Sequence, residues 1–356
     1  MRFNVSRTQL CLLSAVFLCP GTRAQSEEGT PRISVVIGNL LPEEGAAGKA
    51  APSPFESPFG MDFDAAGNMF VVELEGGRVH KLDAAGKFTT IAGDGSKSYR
   101  GDGGPARRAT FNGMHNVAVT LAGDVYIADT WNHCIRKIDP KSGIVTTVAG
   151  TGKRGYSGDG GPASKATFGH VMCITLNATN DQIYVADLTN RRIRRVDLKT
   201  HVVETVVGNG KTGVPRDGDV AVESPLVDPR AVAVDSQNRI YVLERLGHAL
   251  RVVTTDGKIR TVAGTGKPGD QDGPARAAAL KSPKHICVDP DDNVIIADEG
   301  NALIRKYDAR KRTLTRILGR GLGTPPIRLS QPHGVCIEKG TLYVVDTGHD
   351  RILRVK

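Results

Sequence analysis

Tyr126-Ile127-Ala128-Asp129-Thr130-Trp131-Asn132-His133-Cys134-Ile135 is a short apolar run closed by an acid, then a polar turn, then an aliphatic residue six positions after the acid. The phrase recurs. Phe70-Val71-Val72-Glu73, Tyr184-Val185-Ala186-Asp187 and Tyr241-Val242-Leu243-Glu244 align with its opening, as do Ile295-Ile296-Ala297-Asp298 and Tyr343-Val344-Val345-Asp346. The aliphatic partners are Val79, Ile193, Leu250, Ile304 and Ile352. Internal repetition of this kind marks a stack of equivalent units rather than one irregular core.

Each unit extends in both directions. Upstream lies another apolar run, such as Val117-Ala118-Val119 or Ala231-Val232-Ala233-Val234. Downstream lies a fourth, such as Val145-Thr146-Thr147-Val148-Ala149-Gly150. Turn residues separate the runs, as in Ala122-Gly123-Asp124 and Asp256-Gly257. Four short β-rich runs per unit, repeated six times, predict an all-β, six-bladed β-propeller of four-stranded antiparallel blades. No segment sustains a 3.6-residue apolar period, so helix-rich folds are excluded. The sixth unit stops after three strands. Ile33-Ser34-Val35-Val36-Ile37-Gly38 has the look of the missing fourth, so the N-terminal strand is expected to close the last blade and remove two free sheet edges.

The phrase Ala128-Asp129-Thr130-Trp131-Asn132-His133-Cys134-Ile135-Arg136-Lys137 resembles the signature of the NHL-repeat family, and Asp187-Leu188-Thr189-Asn190-Arg191-Arg192-Ile193-Arg194 is a second copy. The resemblance covers residues 32 to 356. It implies a six-bladed propeller.

Residues 1–24 read as a signal peptide. Arg2 and Arg7 precede an apolar core from Leu10 to Leu18, and Thr22-Arg23-Ala24 offers small residues before Gln25. Residues 25–356 then form a single domain of a secreted or periplasmic protein. No stretch has the roughly 18 apolar residues of a membrane span. The chain holds 42 glycines in 356 residues, spread evenly, which suits many tight turns. Its formal charge of +9 falls to +6 without Arg2, Arg7 and Arg23, a mild basicity compatible with acidic partners. Cys134, Cys173, Cys287 and Cys336 remain in the mature chain. The last three are assigned to one inner-strand position shared with Ala118 and Ala233, as small buried residues not expected to form disulfides.

A repeat protein supplies its own control, because one site does not need six copies. The recurring acids Glu73, Asp129, Asp187, Glu244, Asp298 and Asp346 are therefore read as structural, each accepting backbone N–H bonds in the turn that follows. Gly101–Ala106 and Gly158–Ala163, both Gly-Asp-Gly-Gly-Pro-Ala, are read as blade linkers rather than phosphate or calcium loops. Arg136, Lys137, Arg194, Arg195, Arg305 and Lys306 are expected on a solvated outer face.

One position varies. Just before the innermost strands stand Phe59, His115, His170, Arg230, Lys284 and His333, spaced 56, 55, 60, 54 and 49 residues apart. These strand starts should converge on the mouth of the central channel and form a ligand-binding ring. Three neutral histidines, His115, His170 and His333, could hold zinc or another divalent metal. Pro332-His333-Gly334-Val335 resembles the zinc-histidine phrase of the peptidyl-hydroxyglycine amidating lyases, NHL-type propellers. Arg230 and Lys284 alternatively suggest an anion site. Trp131, the single tryptophan, is placed in a turn on the same face.

Two function classes stay open. One is a binding or scaffold module, taking a peptide, glycan or protein, anionic in one version, as a monomer and without nucleic acid. The other is a metal-assisted lyase or hydrolase. No Gly-x-Ser-x-Gly, His-Glu-x-x-His or glycosidase-type carboxylate pair is present, and fold does not choose between the classes.

Overall fold

The computed structural model describes residues 30–38, 41, 44 and 53–356. The expected signal peptide at residues 1–24 lies outside them. Among the described residues there are six antiparallel sheets, each with four blade strands; five take them in sequence order, and the last adds the N-terminal strand to three C-terminal ones. Two of the sheets gain a two-residue edge strand, Gly161–Pro162 and Gly273–Pro274. No described helix is long and apolar enough to cross a membrane.

The closure expected at the N-terminus is present. Ile33–Ile37 runs antiparallel to Arg351–Val355, with Ile33 opposite Val355 and Val35 opposite Leu353. It forms the outer strand of the sheet that also holds Pro332–Glu338 and Thr341–Asp346. Ile33 is buried beside Ile327, Leu329 and Leu353.

The repeated phrase has a physical explanation, and it corrects two expectations. Each blade acid is fully or almost fully buried. It accepts a backbone N–H from the loop that leads into its own blade, not from the turn that follows. Asp129 takes the N–H of Asn112 at 2.8 Å, Asp187 that of Gly169 at 2.8 Å, and Asp298 that of Lys281 at 2.8 Å. In the short turn after the acid, Asn132 donates one amide hydrogen to Asp129 and one to the Ser98 carbonyl of the linker. Asn190 and Asn301 repeat the arrangement. The signature asparagine thus pins the linker to the blade.

The arginines Arg136, Arg194 and Arg305 are not on a solvated face. All three side chains have no exposure. Each reaches the aspartate of a linker 33 to 35 residues upstream: Asp102, Asp159 and Asp272, at 2.7 Å in every case. Two linker carbonyls also accept from each guanidinium: Arg100 and Thr110 for Arg136, Ser157 and Thr167 for Arg194, Gln271 and Ala279 for Arg305, whose Nε alone has no partner. Arg136 and Arg194 also lie over Phe111 and Phe168, at 4.7 and 4.5 Å from the ring centres. A buried guanidinium needs a carboxylate and several further acceptors, because desolvation otherwise outweighs pairing. The Asp-Gly-Gly linkers are therefore structural, as read. Gly101 shows why glycine is required there: its φ is +96°, and a Cβ would sit 2.7 Å from Ala109 Cα. Lys137, Arg195 and Lys306 stay partly exposed and pair with Asp124, Glu204 and Asp289.

Candidate functional site

Strand register decides which residues meet at the channel mouth. In four blades the first strand carries a break in its pairing at Phe59, His115, Arg230 and His333, and in a fifth Lys284, just before the strand, donates its N–H to the Ala297 carbonyl. In the third blade the break falls between Val171 and Cys173, at Met172. Met172, and not His170, is the equivalent residue. His170 precedes it by two positions, in the loop, where its carbonyl accepts the N–H of Leu188. The same shift moves Cys173 out of the column of Cys287, Cys336, Ala118 and Ala233, into that of Asn116, Ala231 and His285.

The mouth residues do not ring an open hole. They pack on one another and close it. Phe59 stacks on His333, centroids 3.9 Å apart, and meets His115 edge-on at 4.8 Å. Trp131 meets both His115 and His170 edge-on, at 5.0 and 4.8 Å, and His133 stacks on His170 at 5.4 Å. The result is a continuous belt of six rings across blades six, one, two and three. Phe59, His115, Met172, Arg230 and His333 are buried. Trp131 is 41% exposed, and His170 and His133 are half-buried, so the belt surfaces at that end.

This belt separates the histidines. Phe59 stands between His333 and His115, and Trp131 between His115 and His170. Among the described residues no group of three His, Cys, Asp or Glu is placed to hold a metal ion. His115 Nδ1 donates to the Gly113 carbonyl at 2.8 Å, which leaves its lone pair on Nε2. Burial holds His115 and His333 well below the usual histidine range, and the charge of Arg230 pushes both the same way.

Below the belt the channel opens into a cavity of about 210 Å³. It begins one residue further along the strands. Its polar wall comprises Asp62, Asn116, Thr175, His285, Cys287 and Cys336. Cys134, Cys173, Cys287 and Cys336 are free thiols.

No family model matches the chain. NHL repeat-containing protein 2 of Gallus gallus is 27% identical over 342 residues, covering 85% of this chain and 46% of that protein. Teneurin-1 of Gallus gallus is 29% identical over 271 residues, covering 67% of this chain and 10% of that protein. The chain is a six-bladed β-propeller with homologues among the NHL repeat-containing proteins. It spans less than half the length of these curated relatives. Among solved structures, an auxiliary nutrient binding protein from Bacteroides thetaiotaomicron superposes with a TM-score of 0.65 at 13% identity, over 92% of this chain and 76% of that one. A streptogramin B lyase superposes with a TM-score of 0.54 at 13% identity, over 92% and 98%. At such identities the likeness is one of fold.

His285 is the residue of this propeller that sequence reading passed over. It directly follows Lys284, in the column occupied elsewhere by Gly60, Asn116, Ala231 and Gly334, and its signal was being the only ring in that column. Asn116 Nδ2 lies 3.0 Å from His285 Nε2, and the Val335 N–H faces Nδ1 at 3.4 Å, two donors of which a neutral imidazole can accept only one. With donors on both sides, an imidazolium would have nothing to donate to. Burial and then the Arg230 charge push its pKa down to about 4. The unfolded chain takes up a proton near pH 6.5 and the folded one only near 4, so this group withdraws stability as pH falls through that window. Against a His285→Gln variant, the native chain should lose up to about 3 kcal/mol more on going from neutral pH to pH 4. Urea unfolding of both proteins at the two pH values gives the difference. Asp62, raised to about 6 by burial, acts in the opposite sense but cancels in the comparison.

Proposed function

We propose that this is an exported binding module that takes its ligand on the face where the linkers and the post-acid turns meet, over the closed channel mouth. The observation that carries this reading is the placement of exposed apolar side chains. Tyr99, Trp131, Tyr156, Val214 and Leu246, between 38% and 66% exposed, all lie in those loops. A set of exposed rings and aliphatics on one face is the usual mark of a binding surface. Trp131 is its best-supported member. Gly113 lies so close beneath it that a Cβ there would fall within 2 Å of the indole, so the ring is held rather than free. A ring held in place, with one side open, loses little entropy on contact. The ligand classes that suit it are a peptide, a glycan or a protein loop. The N-terminal pattern of positive start, apolar core and small residues supports export.

The test is a screen of peptide and glycan libraries against the purified protein, followed by Trp131→Ala. The variant is expected to lose at least about tenfold in affinity, since truncating a central tryptophan typically costs 2 kcal/mol or more, here roughly that amount. Its melting temperature should change little. Unaltered affinity for every ligand found would remove this face from the account.

A further inference from the structure

We propose that the residue layer closing the channel is an oxyanion receptor, in which a carboxylate or phosphate group is held by Arg230 with Lys284 beside it. The inference rests on the reading that ligand arrives at this face, and it names the chemistry of one part of that ligand.

Arg230 is 3% exposed. Every comparably buried arginine of the blades has a carboxylate: Arg136, Arg194, Arg251, Arg305 and Arg351 all lie within 4.0 Å of at least one. Arg230 has none among the described residues. Its one hydrogen bond goes from Nη1 to the Met172 carbonyl at 3.3 Å, and its Nε has no partner. The face of Phe59, 6.0 Å from the guanidinium, offers only a weak substitute for an anion. A guanidinium donates five hydrogens in a fork suited to a planar or tetrahedral oxyanion, and most of that capacity is unused here.

The surroundings point the same way. His333 is 9% exposed and its Nδ1 also lacks a partner, so a second buried polar atom is unsatisfied in the same layer. Two further cations are close by. Lys284 stands 3.8 Å from Glu299, and Arg245 bonds Asp228 at 2.7 Å. These two pairs neutralise themselves, and the charge of Arg230 is left over. Burial and then the neighbouring Arg245 lower the Arg230 pKa only to about 10, so the guanidinium stays charged at neutral pH. Its charge is felt at His115, His285, His333 and Lys284 alike, which places it near the channel axis. Buried charges without partners are costly, and natural proteins retain them where a ligand supplies the partner.

The experiment compares the native protein with Arg230→Met and Lys284→Met in a buffer free of oxyanions. Inorganic phosphate and benzoate are the probes, with sodium chloride at matched ionic strength as the control. Thermal unfolding and calorimetric titration are the readouts. In probe-free buffer Arg230→Met should melt at or above the native temperature, because an uncompensated charge is gone. Phosphate or benzoate, at about 50 mM, should raise the native melting temperature by about 2 °C or more through mass action. The rise should vanish in Arg230→Met and shrink in Lys284→Met. Whichever probe is effective identifies the oxyanion as phosphate-like or carboxylate-like. Three results would overturn the proposal: an equal rise with chloride, no rise with either probe, or a rise that survives in Arg230→Met. Trp131→Ala separates this proposal from the reading on which it rests. Trp131 is two rings removed from Phe59, so that variant should keep the anion-dependent rise even where it loses a peptide or glycan.

Discussion

A chain lacking residues 25–40 is expected to lose at least about 5 kcal/mol of stability, which lowers its melting temperature by roughly 10 °C for a domain of this size. The deletion removes a whole strand ladder, Ile33–Ile37 on Arg351–Val355. It uncovers Leu329, Leu353 and Val355, which Ile33 helps to bury. It also cuts the covalent link between that strand and Glu44, whose carboxylate holds the buried Arg351 through bonds of 2.6 and 3.1 Å. Arg351–Val355 is left as a newly unpaired edge, so the deleted protein should aggregate at concentrations where the native chain does not. A synthetic peptide of residues 31–44, added in trans, should recover part of the lost stability. Calorimetry on the three samples is the measurement, and an unchanged transition in the deleted chain would refute closure by this strand.

Replacing Arg136 with alanine is expected to cost about 3–5 kcal/mol, because it breaks a buried pair from one side only. Asp129 would keep its burial and lose the guanidinium that now stands 3.7 Å away. The carbonyls of Thr110 and Arg100 would lose their donors, and Phe111 would lose the flat group above it. Arg136→Lys should recover little, since a single ammonium cannot span two carbonyls and a carboxylate in the geometry of the fork. Urea denaturation of the two variants decides the matter. A loss below about 0.5 kcal/mol would mean that the residue behaves as an ordinary surface cation after all.

The architecture was legible because it is periodic. Every blade repeats the same apolar run, acid and aliphatic, and Ile33–Ile37 shows the ending that blade six lacks. The arginines were misjudged because a charged residue between aliphatics in a strand looks like the outward half of an alternation. Their burial was nevertheless encoded. Asp102, Asp159 and Asp272 precede Arg136, Arg194 and Arg305 at near-constant separation, and the first blade, which has no such upstream linker, carries His80 in their place. The site was only partly legible. His170 was aligned by its chemistry, although an even spacing of 57 and 58 residues around Met172 fits the repeat better. The ring stacking that closes the mouth depends on side-chain direction, which no spacing conveys. The unpaired state of Arg230 is a property of everything around it, and no motif marks that.

The sheet that seals the ring draws its strands from positions more than 300 residues apart. During synthesis the first of them is made before any blade exists, and its partner is made after five blades have formed. Until then the growing protein is an open arc, with Pro58–Phe63 exposed on one side and the newest blade on the other. Its last folding step is therefore a long-range search across the whole molecule, the kind of step that sets slow rates and exposes sticky edges to neighbours. A chain built this way gains its full stability all at once and late.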